Sequence, residues 1–149
     1  MKAGLNALFD NNILVDYLNG ISAAKAEVDL YDDKAISIIT WMEMQIGTDE
    51  ADQMSVDRFL SKFTLLTLDA KVSAKAVALR RKRRIKLPDA IIWATALAES
   101  RLLVTRNVKN FRQHSLAFGC PTPCQVDVVS KQPSPRNPKI RCQQNQARN

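Results

Sequence analysis

Apolar positions along the chain follow two alternating patterns. Short, almost continuous apolar runs, typical of buried strands, occur at 5–9, 35–39, 63–68 and 102–105. Stretches with helical spacing lie between and after them, at 13–18, 22–31, 40–47, 50–63, 69–84 and 88–99. Such an alternation predicts an α/β protein, a three-layer α/β/α sandwich around a mostly parallel sheet.

Several helix starts carry local signals. Asn11 or Asn12 is placed to cap the helix at 13–18. Thr40 and Glu43 form the T-x-x-E pattern of a capping box, which predicts that the next helix begins after Thr40. Pro88 suits the first turn of the last long helix, and the apolar sequence of that helix predicts that it is buried.

The character of the chain changes after residue 111. The segment 120–149 contains five of the six prolines, together with Gln, Asn and basic residues. The stretch 125–129 (QVDVV) predicts a last edge strand, whereas 131–149 has the composition of a disordered tail. We therefore expect one domain over 1–130 and a basic, Pro- and Gln-rich tail over 131–149.

Composition narrows the class of protein. With 149 residues, 46% of them hydrophobic, the chain is the size of one globular domain. It has no apolar run of the ~20 residues that span a bilayer and no secretory signal pattern, so we expect a cytoplasmic protein with no membrane partner. Three cysteines, Cys120, Cys124 and Cys142, with a single His114 do not complete a four-ligand zinc site, and reduced thiols are the simpler interpretation.

Charge is divided unevenly between the two halves of the chain. Residues 1–79 contain 7 Lys or Arg and 12 Asp or Glu, a net charge of −5, whereas residues 80–149 contain 15 and 3, a net charge of +12. A basic half of this kind indicates a surface that meets a polyanion such as RNA or DNA.

Three acids stand in apolar surroundings, where a carboxylate is costly. Asp10 closes the first predicted strand, Glu43 lies in the helix after the second, and Asp89 begins the buried helix. In open α/β sheets ligands gather at the carboxyl ends of the strands, so we expect these acids to meet in one cleft. Converging carboxylates need a cation, and Mg²⁺ or Mn²⁺ held there could activate water for phosphodiester cleavage.

Each acid also has a structural explanation. Asp10 could be a turn residue, Glu43 half of a capping box, and Asp89 a helix-start acid favoured by the helix dipole. Asp16 is expected to be solvated. The two tryptophans, Trp41 and Trp93, fall within apolar helical patterns and are expected to pack in the core.

Four ordered stretches resemble the PIN-domain nucleases, specifically the VapC-type toxins of bacterial toxin–antitoxin pairs. They are FDNNILVDYLNG (9–20), ISIITWMEMQIG (36–47), KLPDAIIWATALAES (86–100) and LLVTRNVKNF (102–111). The resemblance covers about 5–111. It implies a Mg²⁺- or Mn²⁺-dependent endoribonuclease that cleaves tRNA or other structured RNA, forms a homodimer and is neutralised by a small VapB-like antitoxin.

The resemblance assigns the acidic metal site to Asp10, Glu43 and Asp89, and suggests that Asn12, Thr105, Asn107 and Asn110 line it. Asn110 departs from the pattern, because the family often has an aspartate before the phenylalanine of the last motif. An amide can offer an oxygen to a metal but no negative charge. The sequence therefore does not decide whether the site holds one metal ion or two.

A basic run precedes Asp89 and consists of Arg80, Arg81, Lys82, Arg83, Arg84 and Lys86. We expect it to hold RNA phosphates beside the acids, although a solvated helix end would have the same composition. Two other functions stay open: a catalytically weakened PIN domain that binds RNA or an antitoxin, and a receiver-like signalling domain. The second is less favoured because no acidic pair closes its first strand.

Overall fold

The fold is built on one parallel sheet. The computed structural model describes residues 6–106 and the backbone of residues 126–127. Its five strands are β1 (Asn6–Phe9), β2 (Asp33–Ser37), β3 (Thr64–Leu66), β4 (Leu102–Val104) and β5 (Val126–Asp127). Their order is β3-β2-β1-β4-β5, and every neighbouring pair is parallel. The short strand β5 confirms the edge strand predicted within 125–129.

Within residues 6–106, six α-helices connect or follow these strands. They are α1 (Asn11–Leu18), α2 (Ser22–Asp29), α3 (Ile38–Ile46), α4 (Gln53–Leu60), α5 (Ala70–Lys82) and α6 (Leu87–Ala98), with a 3₁₀ turn at Glu50–Asp52 before α4. No helix in the described part of the chain is long and apolar enough to cross a membrane. The predicted domain boundary at residue 130 and the tail over 131–149 lie outside the described residues, as do the three cysteines.

Alternating side chains of the central strand β1 enter two separate cores. Ala7 and Phe9 pack with α1, α2 and α4 on one face, where Phe9 makes edge-to-face contacts with Tyr31 and Phe63. Leu8 points to the opposite face and packs with α6. Helix α6 in turn buries Ile91 and Ala94 against α5. This arrangement confirms the predicted α/β/α sandwich.

Two predicted helix caps are wrong. The N-cap of α1 is Asp10 rather than Asn11 or Asn12, and its carboxylate accepts a hydrogen bond from the Asn11 N–H. Helix α3 begins at Ile38 with Ser37 as its N-cap, so the capping box at Thr40 does not form. The Ser37 hydroxyl accepts the Thr40 N–H at 3.1 Å, which satisfies an amide that otherwise has no partner inside the helix.

The two tryptophans have different environments. Trp93, on α6, is 6% exposed and packs in the core as predicted. Trp41, on α3, is 37% exposed, so the expectation that it packs in the core is wrong. The residues around Trp41 in the sequence are mostly apolar, so the pattern did not indicate that one face of α3 is exposed to solvent.

Candidate metal centre at the carboxyl edge of the sheet

The strand order creates a switch point between β1 and β4. From β1 the chain passes to β2 and β3 on one side, and then returns to β4 on the other. Ligands of open α/β sheets bind in the crevice at the carboxyl ends of the strands beside such a point. Asp10 follows β1 there, and its N–H donates to the Val104 carbonyl of β4 at 3.0 Å.

Asp10 is the centre of a hydrogen-bond network. It is 5% exposed, and its Oδ1 accepts the Asn11 N–H at 2.7 Å. Its Oδ2 accepts the Thr105 hydroxyl at 2.8 Å and the Asn12 amide at 3.3 Å. Asn12 and Thr105, both predicted to line the site, therefore contact Asp10 directly. The Asn12 Oδ1 accepts the Arg106 N–H at 3.2 Å, which fixes the orientation of this amide.

The environment of Asp10 opposes its charge. Burial raises the pKa of this carboxyl group, the hydrogen bonds from Thr105 and Asn11 lower it, and repulsion from Asp89 raises it again. The nearby Arg106 guanidinium lowers it slightly. The net result is a raised pKa, because desolvation outweighs the hydrogen bonds.

Asp89 acts electrostatically on both Asp10 and Glu43. Glu43 is half-buried on α3, and burial, followed by repulsion from Asp10 and then from Asp89, raises its pKa to about 7. Asp89 lies in the first turn of α6. Since Ser37 caps α3, the capping-box explanation for Glu43 fails. We refer to Asp10, Glu43 and Asp89 as the acid cluster, because each acts electrostatically on the others from a different element.

As they stand, the carboxylates do not form a closed metal site. Across residues 6–106, no group of three or more His, Cys, Asp and Glu side chains is arranged to hold a metal ion. The donor chemistry nevertheless fits Mg²⁺ or Mn²⁺, since carboxylate oxygens are their preferred ligands and Mg²⁺ keeps several waters when one or two carboxylates hold it. Asn107 and Asn110, the other predicted lining residues, lie outside the described residues.

One charged pair near the acid cluster was not predicted. Asp16, expected to be solvated, is 5% exposed and pairs with Arg106, whose Nη1 lies 2.7 Å from Asp16 Oδ2. The expectation was wrong because the partner lies 90 residues further along the chain. No local sequence pattern reports a contact over that distance, although an acid among the apolar positions of α1 is itself a signal.

The predicted basic run divides into two kinds of residue. Arg83 is half-buried, and its guanidinium lies over the ring of Trp93, 5.3 Å from the ring centroid. The other five basic residues are exposed. They are Arg80, Arg81, Lys82, Arg84 and Lys86.

Comparison with known proteins decides the family. The family model for the PIN domain matches residues 7–115, most of the chain. The chain belongs to the PIN-domain family. This confirms the resemblance drawn from the four motifs. No curated protein sequence matches the chain.

Solved structures with this fold include toxin–antitoxin complexes. The chain is 42% identical to a protein in a toxin–antitoxin complex from Klebsiella pneumoniae, with a TM-score of 0.66, and the match covers 71% of this chain and 90% of that one. It is 27% identical to VapBC2 from Rickettsia felis bound to a promoter DNA fragment (TM-score 0.66, 73% and 92% covered). DNA-bound VapBC from Salmonella typhimurium, at 21% identity, shares the fold (TM-score 0.65, 72% and 91% covered). Together with the PIN domain, these similarities support a nuclease toxin in general terms.

Proposed function

We propose that the protein is a metal-dependent endoribonuclease that acts as the toxin of a toxin–antitoxin pair. Asp10, Glu43 and Asp89 hold Mg²⁺ or Mn²⁺ at the carboxyl edge of the sheet. When bound, the cation supplies electrostatic stabilisation for hydrolysis of an RNA phosphodiester bond. Asn12 and Thr105 keep the Asp10 carboxylate oriented through their hydrogen bonds to Oδ2.

One observation carries this proposal: the carboxylates of Asp10, directly after β1, of Glu43 on α3 and of Asp89 on α6 repel each other, and Asp10 is buried. Burial and this repulsion raise the pKa of Asp10, and they raise that of Glu43 to about 7. Negative charges that lie close together and away from water lower the stability of the folded state unless a cation binds there. A divalent cation bound there favours the charged forms of these carboxylates, because an opposite charge lowers the pKa of a carboxyl group.

Substrate and partners follow from the charge distribution and the relatives. The exposed residues of the basic run, which end just before α6 and Asp89, are proposed to bind phosphates of tRNA or another structured RNA. The similarity to toxin–antitoxin complexes supports a VapB-like antitoxin as partner. The protein is further proposed to form a homodimer and to act in the cytoplasm.

The test is cleavage of a tRNA pool by the purified, antitoxin-free chain over a Mg²⁺ or Mn²⁺ titration. Cleavage is expected to require the cation and to disappear in Asp10→Asn. Asp69→Asn is the matched control: Asp69 also precedes a helix at the carboxyl edge, where it accepts the Val72 N–H at 2.8 Å, but it follows β3, two strands away from β1. Cleavage in EDTA, or cleavage that survives Asp10→Asn, would contradict the proposal.

A second candidate is a weakened PIN domain that binds RNA or an antitoxin without cleaving. It is favoured by the absence, within residues 6–106, of a ready-made group of metal-ligating side chains. The same titration separates the two, since a binding module retains RNA in a gel-shift assay at every metal concentration and leaves it intact.

A further inference from the structure

The ion pair between Asp16 and Arg106 combines a buried anion with a partly exposed cation. The Asp16 side chain is 7% exposed and the Arg106 side chain 34% exposed. Asp16 projects from α1 and Arg106 follows β4, so the pair bridges the two elements beside the switch point. A carboxylate buried to this degree fixes the guanidinium that it binds, whereas a surface pair would leave it mobile.

Two further links connect Arg106 with the acid cluster. Its backbone N–H donates to Asn12 Oδ1, and the Asn12 amide donates to Asp10 Oδ2. Its positive charge acts on Asp10 and lowers the pKa of that carboxyl group. Among the described residues, it is the only cation that has this effect on Asp10.

The geometry leaves Arg106 able to bind a second anion. A guanidinium has five N–H donors, and within residues 6–106 one of them is used, by Nη1 on Asp16. An RNA strand that approaches three carboxylates is repelled, so a cation at the rim of the cluster stabilises a phosphate where it is otherwise disfavoured. Guanidinium groups bind phosphates through two parallel hydrogen bonds, which sets their orientation as well as their affinity.

We propose that Arg106 binds a phosphate group of the RNA next to the acid cluster and that Asp16 is a positioning residue that holds the guanidinium there. The inference deepens the proposed function, on which it rests for the choice of RNA as ligand. It adds a phosphate contact from a different part of the fold, because Arg106 follows β4, whereas the basic run extends from the end of α5 to the start of α6.

The competing explanation is a purely structural ion pair. The two explanations predict opposite changes in RNA affinity for one substitution. Asp16→Asn removes a negative charge close to the site with little change in shape. If Arg106 needs no anchor, the loss of a negative charge strengthens RNA binding. If Asp16 positions Arg106, the same change weakens RNA binding, because the guanidinium is released from its place.

The experiment measures the affinity of the full chain for a fluorescent RNA oligonucleotide in Ca²⁺ over a range of salt concentrations, with the RNA checked for intactness afterwards. Arg106→Gln is expected to weaken binding about tenfold, the loss typical of one hydrogen-bonded charge contact. It should also reduce the slope of log affinity against log salt by about 0.7, the value for one phosphate contact on a single strand. Arg106→Lys keeps the charge but cannot form the two parallel hydrogen bonds of a guanidinium. Its RNA affinity should lie between those of Arg106→Gln and the wild type.

Asp33→Asn is the matched control for loss of an ion pair. Asp33 pairs with Arg101 at 2.9 Å, but it stands at the first residue of β2, at the opposite edge of the sheet. Its substitution should leave RNA affinity unchanged. Melting temperatures of all variants establish that each is folded at the assay temperature.

The outcomes separate this inference from the proposed function. Wild-type affinity in Arg106→Gln, or tighter binding in Asp16→Asn, overturns the roles given to these residues even if the wild type cleaves RNA. Conversely, a wild type that binds RNA without cleaving it contradicts the nuclease proposal, and the variants still decide whether Arg106 and Asp16 act as proposed. A wild type that binds no RNA overturns both.

Discussion

At the scale of single residues, the Thr105 hydroxyl makes a short, buried hydrogen bond with Asp10. Thr105 is fully buried and donates to Oδ2 at 2.8 Å. Thr105→Val keeps the shape and removes the donor, which, among the described residues, leaves this buried carboxylate oxygen with the longer contact from Asn12. We expect the free energy of unfolding to fall by about 1–3 kcal/mol, measured by urea unfolding in EDTA.

Thr95→Val is the control for this substitution. Thr95 is equally buried, but its hydroxyl donates to the Ile91 carbonyl inside its own helix, so its removal leaves no charged group without a donor. A smaller loss of stability is expected there. Equal losses in the two variants would mean that the hydroxyl of Thr105 has no special role beside Asp10.

The raised pKa of Glu43 predicts an unusual dependence of stability on pH. The folded state holds the Glu43 proton up to about pH 7, whereas the group ordinarily titrates at 4.5. Between these values Glu43 binds more protons in the folded state than in the unfolded state, so its contribution to stability in EDTA falls as the pH rises from 4.5 to 7. Burial of Asp10 acts in the same direction.

Glu43→Gln should remove this part of the pH dependence. We expect the variant to gain stability over the wild type at pH 8 and to gain very little at pH 4, because Glu43 is mainly protonated there in both states. Urea unfolding in EDTA at the two pH values measures the difference. A constant difference would show that Glu43 ionises at its ordinary pKa in the folded protein.

The sequence indicates some of these residues more readily than others. Asp10 and Asp89 could be selected because each adjoins a strongly apolar element, and the electrostatics place both with Glu43. The partner that stabilises Asp16 in its buried place could not be predicted, because Arg106 is brought close only when β4 pairs with β1. Asp10 as the cap of α1 was missed because two asparagines follow it, and either could serve.

At the scale of elements, the start of α3 shows how a local pattern is overruled. Ile38 and Ile39 are β-branched and predict a continuing strand, yet both lie in the first turn of the helix. Ser37 provides the cap that makes this earlier start favourable, and its own hydroxyl donates to Thr40 Oγ1 at 3.3 Å. Intrinsic propensity is a weak influence compared with such a contact in a fully buried place.

Substitution at the two rival caps tests this helix start. Ser37→Ala should lower the free energy of unfolding by about 1 kcal/mol, a typical value for loss of an N-cap. Thr40→Val, which keeps the side-chain shape, should cost less, because the Thr40 hydroxyl caps no backbone N–H. A larger loss of stability in Thr40→Val than in Ser37→Ala, measured by urea unfolding, would favour the capping box at Thr40 instead.

The contact between Arg83 and Trp93 of α6 predicts that residues of the basic run differ in their effect on stability. The Arg83 guanidinium lies over the Trp93 ring, and such a cation–π contact contributes about 0.5–2 kcal/mol. Arg83→Gln should therefore destabilise the fold, whereas Arg81→Gln, which removes the same charge from an exposed position, should leave stability within about 0.5 kcal/mol of the wild type.

RNA affinity should show the opposite ranking for these two variants. Arg81 is free to meet a phosphate on the surface, while Arg83 is held against Trp93. We expect Arg81→Gln to weaken binding more than Arg83→Gln does, in titrations on protein that melts above the assay temperature. A larger loss in Arg83→Gln would place Arg83 itself at the RNA interface.

At the scale of the whole molecule, strand order brings distant parts of the sequence together. The alternation of apolar patterns was enough to predict the sandwich and its parallel sheet, because buried parallel strands need helical crossovers. It was not enough to predict that β4 inserts beside β1 rather than beside β3. That order places Asp10 and Thr105 in contact, although 95 residues separate them.

A cation at the acid cluster should consequently stabilise the fold as a whole. Its proposed ligands lie directly after β1, on α3 and on α6, and no segment that lacks one of these elements contains the complete site. Native-state hydrogen exchange with and without Mg²⁺ measures this. Backbone amides of these elements that exchange only on global unfolding should gain the full binding energy, about 2.7 kcal/mol when Mg²⁺ is 100 times its Kd.

The pattern of amides that gain no protection is equally informative. Amides of the 3₁₀ turn Glu50–Asp52, if they exchange by local opening that leaves the acid cluster intact, should be insensitive to Mg²⁺. Asp89→Asn should reduce the gain throughout the protein, whereas Asp32→Asn, which removes the same charge at an exposed position, should leave it unchanged. An equal gain in Asp89→Asn and the wild type would exclude Asp89 from the metal site, because a ligand that adds nothing to the affinity adds nothing to the linked stability.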